Sequence, residues 1–371
     1  AILKQLLESA PMEFTSHAKH NPVILQLPMP DGSYERFRVV ESPIVEKGLS
    51  DKFPGLRTWS GQGIETPAAT AKLDFTKKGF HAMVLSPNGD WFIDPYSSGT
   101  RTYYISYYKK NLRAKKMFEC GVHATSAPVI NKAKRKTNSI NPENAISTGL
   151  PGNNSPNLLL GDCMFRTYRL ALAATGEYTS FHGGTVADGL AAQVTAMNRV
   201  NGLYERDFSL RMIIIANNNL LIYTNGATDP YTNGSGGTML GENQSNLDLV
   251  IGTANYDIGH VFSTGGGGIA QLYSPCGSGK ARGVTGLGSP IGDPFYVDYV
   301  AHEMGHQWGG NHTFNGTAGS CGGNGGGPSA VEVGSGVTIQ AYAGICGSQN
   351  VQSNSDAMFH SYSIEEMYGF I

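Results

Sequence analysis

The chain has 371 residues, 15% of them charged and 40% hydrophobic, with a net charge of −2. That length suits two domains and is enough to bury a sizeable core. The near-neutral balance disfavours a nucleic-acid binder, and no run of 18 apolar residues offers a membrane-spanning helix. Glycine is abundant, at 49 residues, but without the three-residue period of collagen. The chain starts at Ala1, and we expect a targeting peptide or an expression scar to have been trimmed from it.

Composition divides the chain near residue 150. Residues 1–150 carry 20 Lys and Arg against 13 Asp and Glu, a balance of +7; residues 151–371 carry 7 against 16, a balance of −9. Glycine divides as 10 and 39. The opposite signs lead us to expect that the halves attract each other. The junction, residues 131–161, is polar and rich in Asn, Ser, Pro and Gly, with a basic cluster at Lys132, Lys134, Arg135 and Lys136. That is the composition of an exposed, cleavable linker.

In chain order, Leu3–Leu7 predicts a short helix. Phe37–Val40, His81–Leu85, Trp91–Ile93 and Thr102–Tyr108 predict strands, with a turn at Pro87-Asn88-Gly89-Asp90. The first domain therefore reads as β-rich. The second alternates: strands at Tyr168–Ala173, Leu210–Ala216, Ile258–Ser263 and within Gly283–Gly286, and helices at Thr185–Val200 and Met239–Ile251. Alternation of this kind predicts an α/β layered domain. The glycine runs Gly265–Gly268 and Gly322–Gly327 lack the lysine and strand-to-helix context of a phosphate loop.

Residues 301–313 read AHEMGHQWGGNHT. His302 and His306 are four apart and share one face of a helix. Asp293 predicts its N-cap, Pro294 its first turn and Gly309 its end. A turn at Gly309 would return His312 as a third ligand, giving H-E-x-x-H-x-x-G-x-x-H. Three imidazoles hold a zinc ion while leaving a fourth position open, as catalytic sites do. Glu303, beside the first histidine, lies where a carboxylate activates water.

This pattern resembles the metzincin zinc endopeptidases. The segments LALAATGEY, NRVNGLYERD, TGGGGIA and GSGVTIQAYAGIC resemble the adamalysin/reprolysin-like group, from about Phe165 to Ile371. The resemblance implies an α/β (α+β) catalytic domain over 151–371, with a mixed, mostly parallel five-stranded sheet and an active-site helix. It implies a substrate antiparallel to an edge strand near Ile258–Ala270, so that Gly265, Gly266, Gly267, Gly268 and Ile269 are candidate substrate-binding residues. Residues 1–150 would then be a β-rich inhibitory prodomain, and Lys116–Val122 resembles a cysteine-switch segment in which Cys120 ligates zinc in the latent form. Two positions depart from the family pattern. Gln340 stands where methionine forms a turn beneath the zinc, and Thr313 stands where aspartate follows the third histidine. Tyr342, two residues past that turn, is a candidate helper in catalysis.

Five cysteines occur, at 120, 163, 276, 321 and 346. The last four allow three connectivities; the expected one is Cys163–Cys276 with Cys321–Cys346, leaving Cys120 over. The resemblance implies a secreted, monomeric zinc endopeptidase with protein or peptide substrates and its own prodomain as inhibitor, without nucleic-acid or membrane partners; structural calcium is neither implied nor excluded. Two other readings are a metzincin-like binding protein impaired by Gln340, and a metal-dependent hydrolase of small molecules.

Overall fold

The computed structural model describes residues 2–97, 99, 101–112, 118–122 and 164–371. The expected linker and its basic cluster, and Cys163, lie outside the described residues.

The first part holds helices α1 (Ile2–Glu8), α2 (Ser16–His20) and α3 (Lys47–Lys52) and seven strands: β1 (Val23–Pro28), β2 (Tyr34–Glu41), β3 (Arg57–Gly63), β4 (Thr70–Thr76), β5 (Gly79–Leu85), β6 (Trp91–Pro95) and β7 (Tyr104–Tyr108). Each pairs antiparallel with the next in chain order, forming a meander. Period-two alternation sorts its side chains. Ala71, Leu73, Ala82, Val84, Trp91 and Ile93 enter a core that includes Leu7 of α1. Met83, Leu85 and Phe92, on the opposite face, join the core of the second part.

The second part runs β8 (Arg166–Ala174), α4 (Gly176–Phe181), α5 (Val186–Phe208), β9 (Leu210–Ile214), α6 (Gly236–Val250), β10 (Ile258–Ser263), β11 (Gly268–Ala270), β12 (Gly283–Gly286), α7 (Asp293–Phe295), α8 (Ala301–Gln307) and α9 (Ser361–Tyr368). The five strands form one mixed sheet in the order β11-β12-β10-β8-β9. The β12-β10-β8-β9 pairings are parallel, and β11 alone runs antiparallel. The edge strand expected near 258–270 is thus β11; β10 is central. No helix among the described residues is long and apolar enough to cross a membrane.

Helix α5 continues past the predicted end at residue 200 to Phe208. Thr185 caps it by accepting from the Asp188 amide, and Ser209 closes it in the left-handed conformation. It is buried almost all round because it packs on the meander on one side and on the five-stranded sheet on the other.

Charge crosses this interface in the sense expected from composition. Lys72 meets Glu205 at 2.6 Å, Lys77 and Lys78 meet Asp188 at 2.9 and 3.1 Å, and Lys109 meets Asp298 at 3.3 Å. Two pairs run the other way, Arg199 to Asp94 at 2.5 Å and Arg211 to Glu13. Backbone pairing adds to them: Ile214 donates to Ile44 and Glu46 donates to Ile214, both at 2.8 Å, so residues 44–46 cover the outer edge of β9.

The helix that carries His302 and His306 departs from the sequence reading at its start. Gly292, not Asp293, is the N-cap, and the buried Asp293 carboxylate instead accepts from Arg199 at 3.1 Å. A buried guanidinium left without an anion costs more than a helix start left without a side-chain cap. Pro294 sits in the first turn as expected. Residues Tyr296–Val300 then wind as a π-helical turn before α8 begins.

Asp74 of β4 faces α5 and accepts from Thr195 at 3.0 Å. Burial pushes its carboxyl up to about 6 from 3.8, against the pull of His81 and Arg199. The fold therefore favours the protonated form; that contribution is complete below pH 3.8 and is lost by about pH 6. Asp74→Asn should match the parent at pH 3.5 and be more stable at pH 7.5 by up to about 3 kcal/mol. Urea unfolding of both proteins at the two pH values measures this, and an equal difference at both would contradict the burial account.

Candidate metal centre

His302 and His306 project from one face of α8, one turn apart. Gly309 follows at φ 99°, a left-handed conformation that glycine adopts without strain, and a side chain there would strike the Tyr273 ring. The chain reverses and brings His312 back to the same point. The Nε2 atom of His306 lies 3.0 Å from that of His302 and 3.1 Å from that of His312.

Each Nδ1 faces a backbone carbonyl: His302 that of Ile339 at 2.7 Å, His306 that of Gly310 at 2.7 Å, and His312 that of Asn324 at 2.6 Å. A carbonyl accepts only, so each Nδ1 carries the proton and each Nε2 presents a lone pair. Three lone pairs then face one another in a buried space, an arrangement that a cation relieves. Burial and His302 together hold His306 well below the usual histidine range, which keeps it neutral.

The fourth corner is Cys120. Its Sγ lies 3.5 Å from His306 Nε2, and one ligand atom from each of the four residues falls within 4.8 Å of the others. Tetrahedral zinc would separate nitrogen ligands by roughly 3.3 Å and sulfur from nitrogen by roughly 3.6 Å, from its usual bond lengths. The donor set fits zinc in both softness and spacing.

Cys120 arrives on an added strand. Gly121 donates to the Gly268 carbonyl at 2.7 Å and Gly268 donates to the Glu119 carbonyl at 2.8 Å, so residues 119–121 lie parallel to β11 on its free edge. Of the candidate substrate-binding residues, Gly267, Gly268 and Ile269 face this strand, whereas Gly265 and Gly266 pack toward Asn233 and Gly236. A side chain at Gly268 would strike the Glu303 carboxylate.

Glu303 is fully buried, and neither of its oxygens has a hydrogen-bond partner of good geometry among the described residues. Burial pushes it well above the usual carboxylate range; burial and the adjacent Glu303 push the Cys120 thiol up as well. A divalent cation reverses both effects. The Tyr342 hydroxyl donates to the Cys120 carbonyl at 3.3 Å, and its ring lies 4.7 Å from that of His312.

The chain belongs to the M12B reprolysin-like metallopeptidases. The family model, Metallo-peptidase family M12B Reprolysin-like, matches residues 164–366. Among solved structures the chain is similar to metalloproteinase-II from Bacteroides fragilis, at 12% identity and a TM-score of 0.44, over 98% of this chain and 97% of that one. No curated protein sequence matches.

The two departures from the reprolysin-like pattern have a structural account. Thr313 donates its hydroxyl to Glu332, as does Thr338 at 2.5 Å. The other Glu332 oxygen accepts from the amides of Val337 and Thr338 at 2.8 and 3.1 Å. One carboxylate thus ties the third-histidine segment to the turn beneath the site, reaching it from a different part of the chain than residue 313. Sequence reasoning missed Glu332, though the signal was present: it is the single Asp, Glu, Lys or Arg between His312 and Asp356. Gln340 occupies the turn floor fully buried; its Nε2 donates to the Gly310 carbonyl at 3.2 Å, while its Oε1 has no partner.

Cys321 and Cys346 form the expected disulfide, which pins the loop between His312 and the turn. Cys276 is exposed, and its expected partner Cys163 lies outside the described residues.

Two substitutions check these roles. Glu332→Ala leaves two buried hydroxyls and two amides without their acceptor, and should cost about 3 kcal/mol or more in urea unfolding and lower zinc content at equilibrium. Gln340→Met gives up one weak hydrogen bond but removes an unsatisfied buried oxygen; we expect a change within about 1 kcal/mol and unaltered zinc content. A Gln340→Met protein that lost zinc would give the amide a polar role at the site.

Proposed function

We propose that the protein is a secreted zinc endopeptidase in latent form, with residues 1–150 as an inhibitory prodomain, 151–371 as the catalytic domain, and Cys120 as the latency switch. One observation carries the reading: three Nε2 lone pairs and a thiol converge on one point, with every Nδ1 committed elsewhere.

His302, His306 and His312 would hold the ion, and their carbonyl partners fix each ring's tautomer and tilt. Bound there, zinc supplies Lewis acidity toward a scissile carbonyl and lowers the pKa of water to about 7. Glu303 takes the proton from the attacking water and passes it to the leaving amine. Its dry surroundings keep the carboxylate basic enough to accept that proton. The free edge of β11 offers main-chain groups to an extended peptide, the mode by which the 119–121 segment already binds. Tyr342 donates to a peptide carbonyl in the cleft and is placed to do the same for substrate.

In the latent chain the thiol takes the corner where water is needed, and Glu303 has nothing to deprotonate. The interface lysines hold the first part on the second and raise the local concentration of the thiol at the site. Cleavage within 131–161 would let the first part leave.

Glu303→Ala should retain zinc while losing two to four orders of magnitude in turnover of a generic protein substrate; near-parental turnover would sink the mechanism. Cys120→Ala should process itself prematurely, and organomercurials should activate the parent chain. A Cys120→Ala protein as silent as its parent would remove the switch from the account. Parent protein that binds zinc yet never cleaves any substrate after activation would favour a binding role.

A further inference from the structure

The residues around Cys120 alternate in exposure: Phe118, Cys120 and Val122 are buried, while Glu119 and Gly121 are exposed. That is the signature of an extended strand presenting every second side chain to the cleft. Cys120 points at the metal corner, so Phe118 marks the neighbouring side-chain position along the same edge.

The Phe118 ring enters a box of aromatic rings. Its centroid lies 4.5 Å from Tyr299, 5.4 Å from Tyr342 and 5.5 Å from His302, each contact edge-to-face at 63°, 73° and 76°. The three walls come from separate places: the π-helical turn, the segment after Gln340, and the metal face of α8. Both tyrosines turn their hydroxyls to the main chain, Tyr299 donating to the Glu119 carbonyl at 2.5 Å and Tyr342 to the Cys120 carbonyl. Main-chain carbonyls belong to any peptide, so the hydroxyls grip without regard to sequence. The ring faces do the choosing, since edge-to-face packing favours an aromatic guest over an aliphatic one of similar size.

We propose that this box is the cleft's selecting pocket: it takes an aromatic side chain of the substrate within two residues of the scissile bond, and Phe118 fills it in the latent chain. The inference rests on the peptidase reading above. An extended peptide on the β11 edge places alternate side chains at the same spacing whichever way it runs, so Phe118 shows what the pocket accepts even if substrate lies in the opposite direction.

Two measurements test it. In the full-length zinc-loaded chain, the rate of Cys120 alkylation by iodoacetamide, followed on the Cys120 peptide by mass spectrometry, reports how firmly the segment is seated. Burying one phenylalanine ring corresponds to roughly 10- to 100-fold in seating equilibrium. Phe118→Ala should accelerate alkylation by about that factor, and Phe118→Tyr should stay near the parent. Equal rates in the parent and Phe118→Ala would overturn the proposal without reference to catalysis.

The second measurement uses the full-length Phe118→Ala/Cys120→Ala chain, which empties both pocket and metal corner, on a peptide library. Aromatic residues should be enriched at one position within two residues of the cleaved bond. Replacing that residue by Ala in a good peptide should lower kcat/KM by roughly 10- to 100-fold. Cleavage with no aromatic enrichment overturns the pocket and leaves the peptidase reading standing. No cleavage of any peptide, even after proteolysis within 131–161 has released the first part, overturns the peptidase reading and the pocket with it.

Discussion

Three imidazole nitrogens, with that of His306 about 3 Å from each of the other two, lone pair to lone pair, are tolerable only around a cation, and much of the second domain serves to impose that arrangement. Helix α8 sets two of them at one face, the reversal at Gly309 supplies the third, and three carbonyls, one from that reversal and two from later segments, lock the rings. Glu332 and the Cys321–Cys346 disulfide then fix the loops that provide those carbonyls. The ring tautomers are a consequence of backbone geometry, which leaves each Nε2 lone pair to face the ion.

The other organising feature is α5, shared by two sheets. A helix with one apolar stripe would serve either sheet alone; this one is buried on both sides and must carry its polar groups inside. Arg199 shows how that is done. Its guanidinium joins Asp94 of the meander to Asp293 at the start of the active-site helix, and its face lies over the rings of Phe92 and Tyr296. Lys109 of the first part reaches Asp298 of the π-helical turn from the same side. The first part therefore touches the active-site helix from behind as well as through Cys120 in front.

The metal centre was the most legible part of the sequence, because its ligands are fixed by local spacing: four residues for one helical turn, three more to a glycine, three more to His312. Composition also foresaw the ionic interface, since Lys72, Lys77, Lys78 and Lys109 all meet acids of the second part. Strands made of apolar and aromatic runs bounded by a turn, such as β5 and β6, were readable. Strands β1, β3 and β4 were not; in β4, Lys72 and Asp74 look like surface residues until α5 is laid over them. Asp293 was misread for a related reason: local rules assign it to the cap, and only tertiary packing brings Arg199 to it. Glu332 and the Phe118 box depend on contacts between segments far apart in the chain, which no local pattern encodes.

Both outer edges of the five-stranded sheet end against residues of the first part: β9 against 44–46 and β11 against 119–121. Open strand edges are templates for pairing with other chains. Because residues 44–46 and 119–121 precede every strand of that sheet in the chain, a mate for each edge exists before the edge does. Apart from the link holding α3, which contributes residues 44–46, the meander is made of sequential hairpins, whose short loop closures come quickly compared with the crossovers of a parallel sheet. In order of synthesis, the first part is a mould in place before the casting, and the sheet that follows need never pass through a stage with two bare sides.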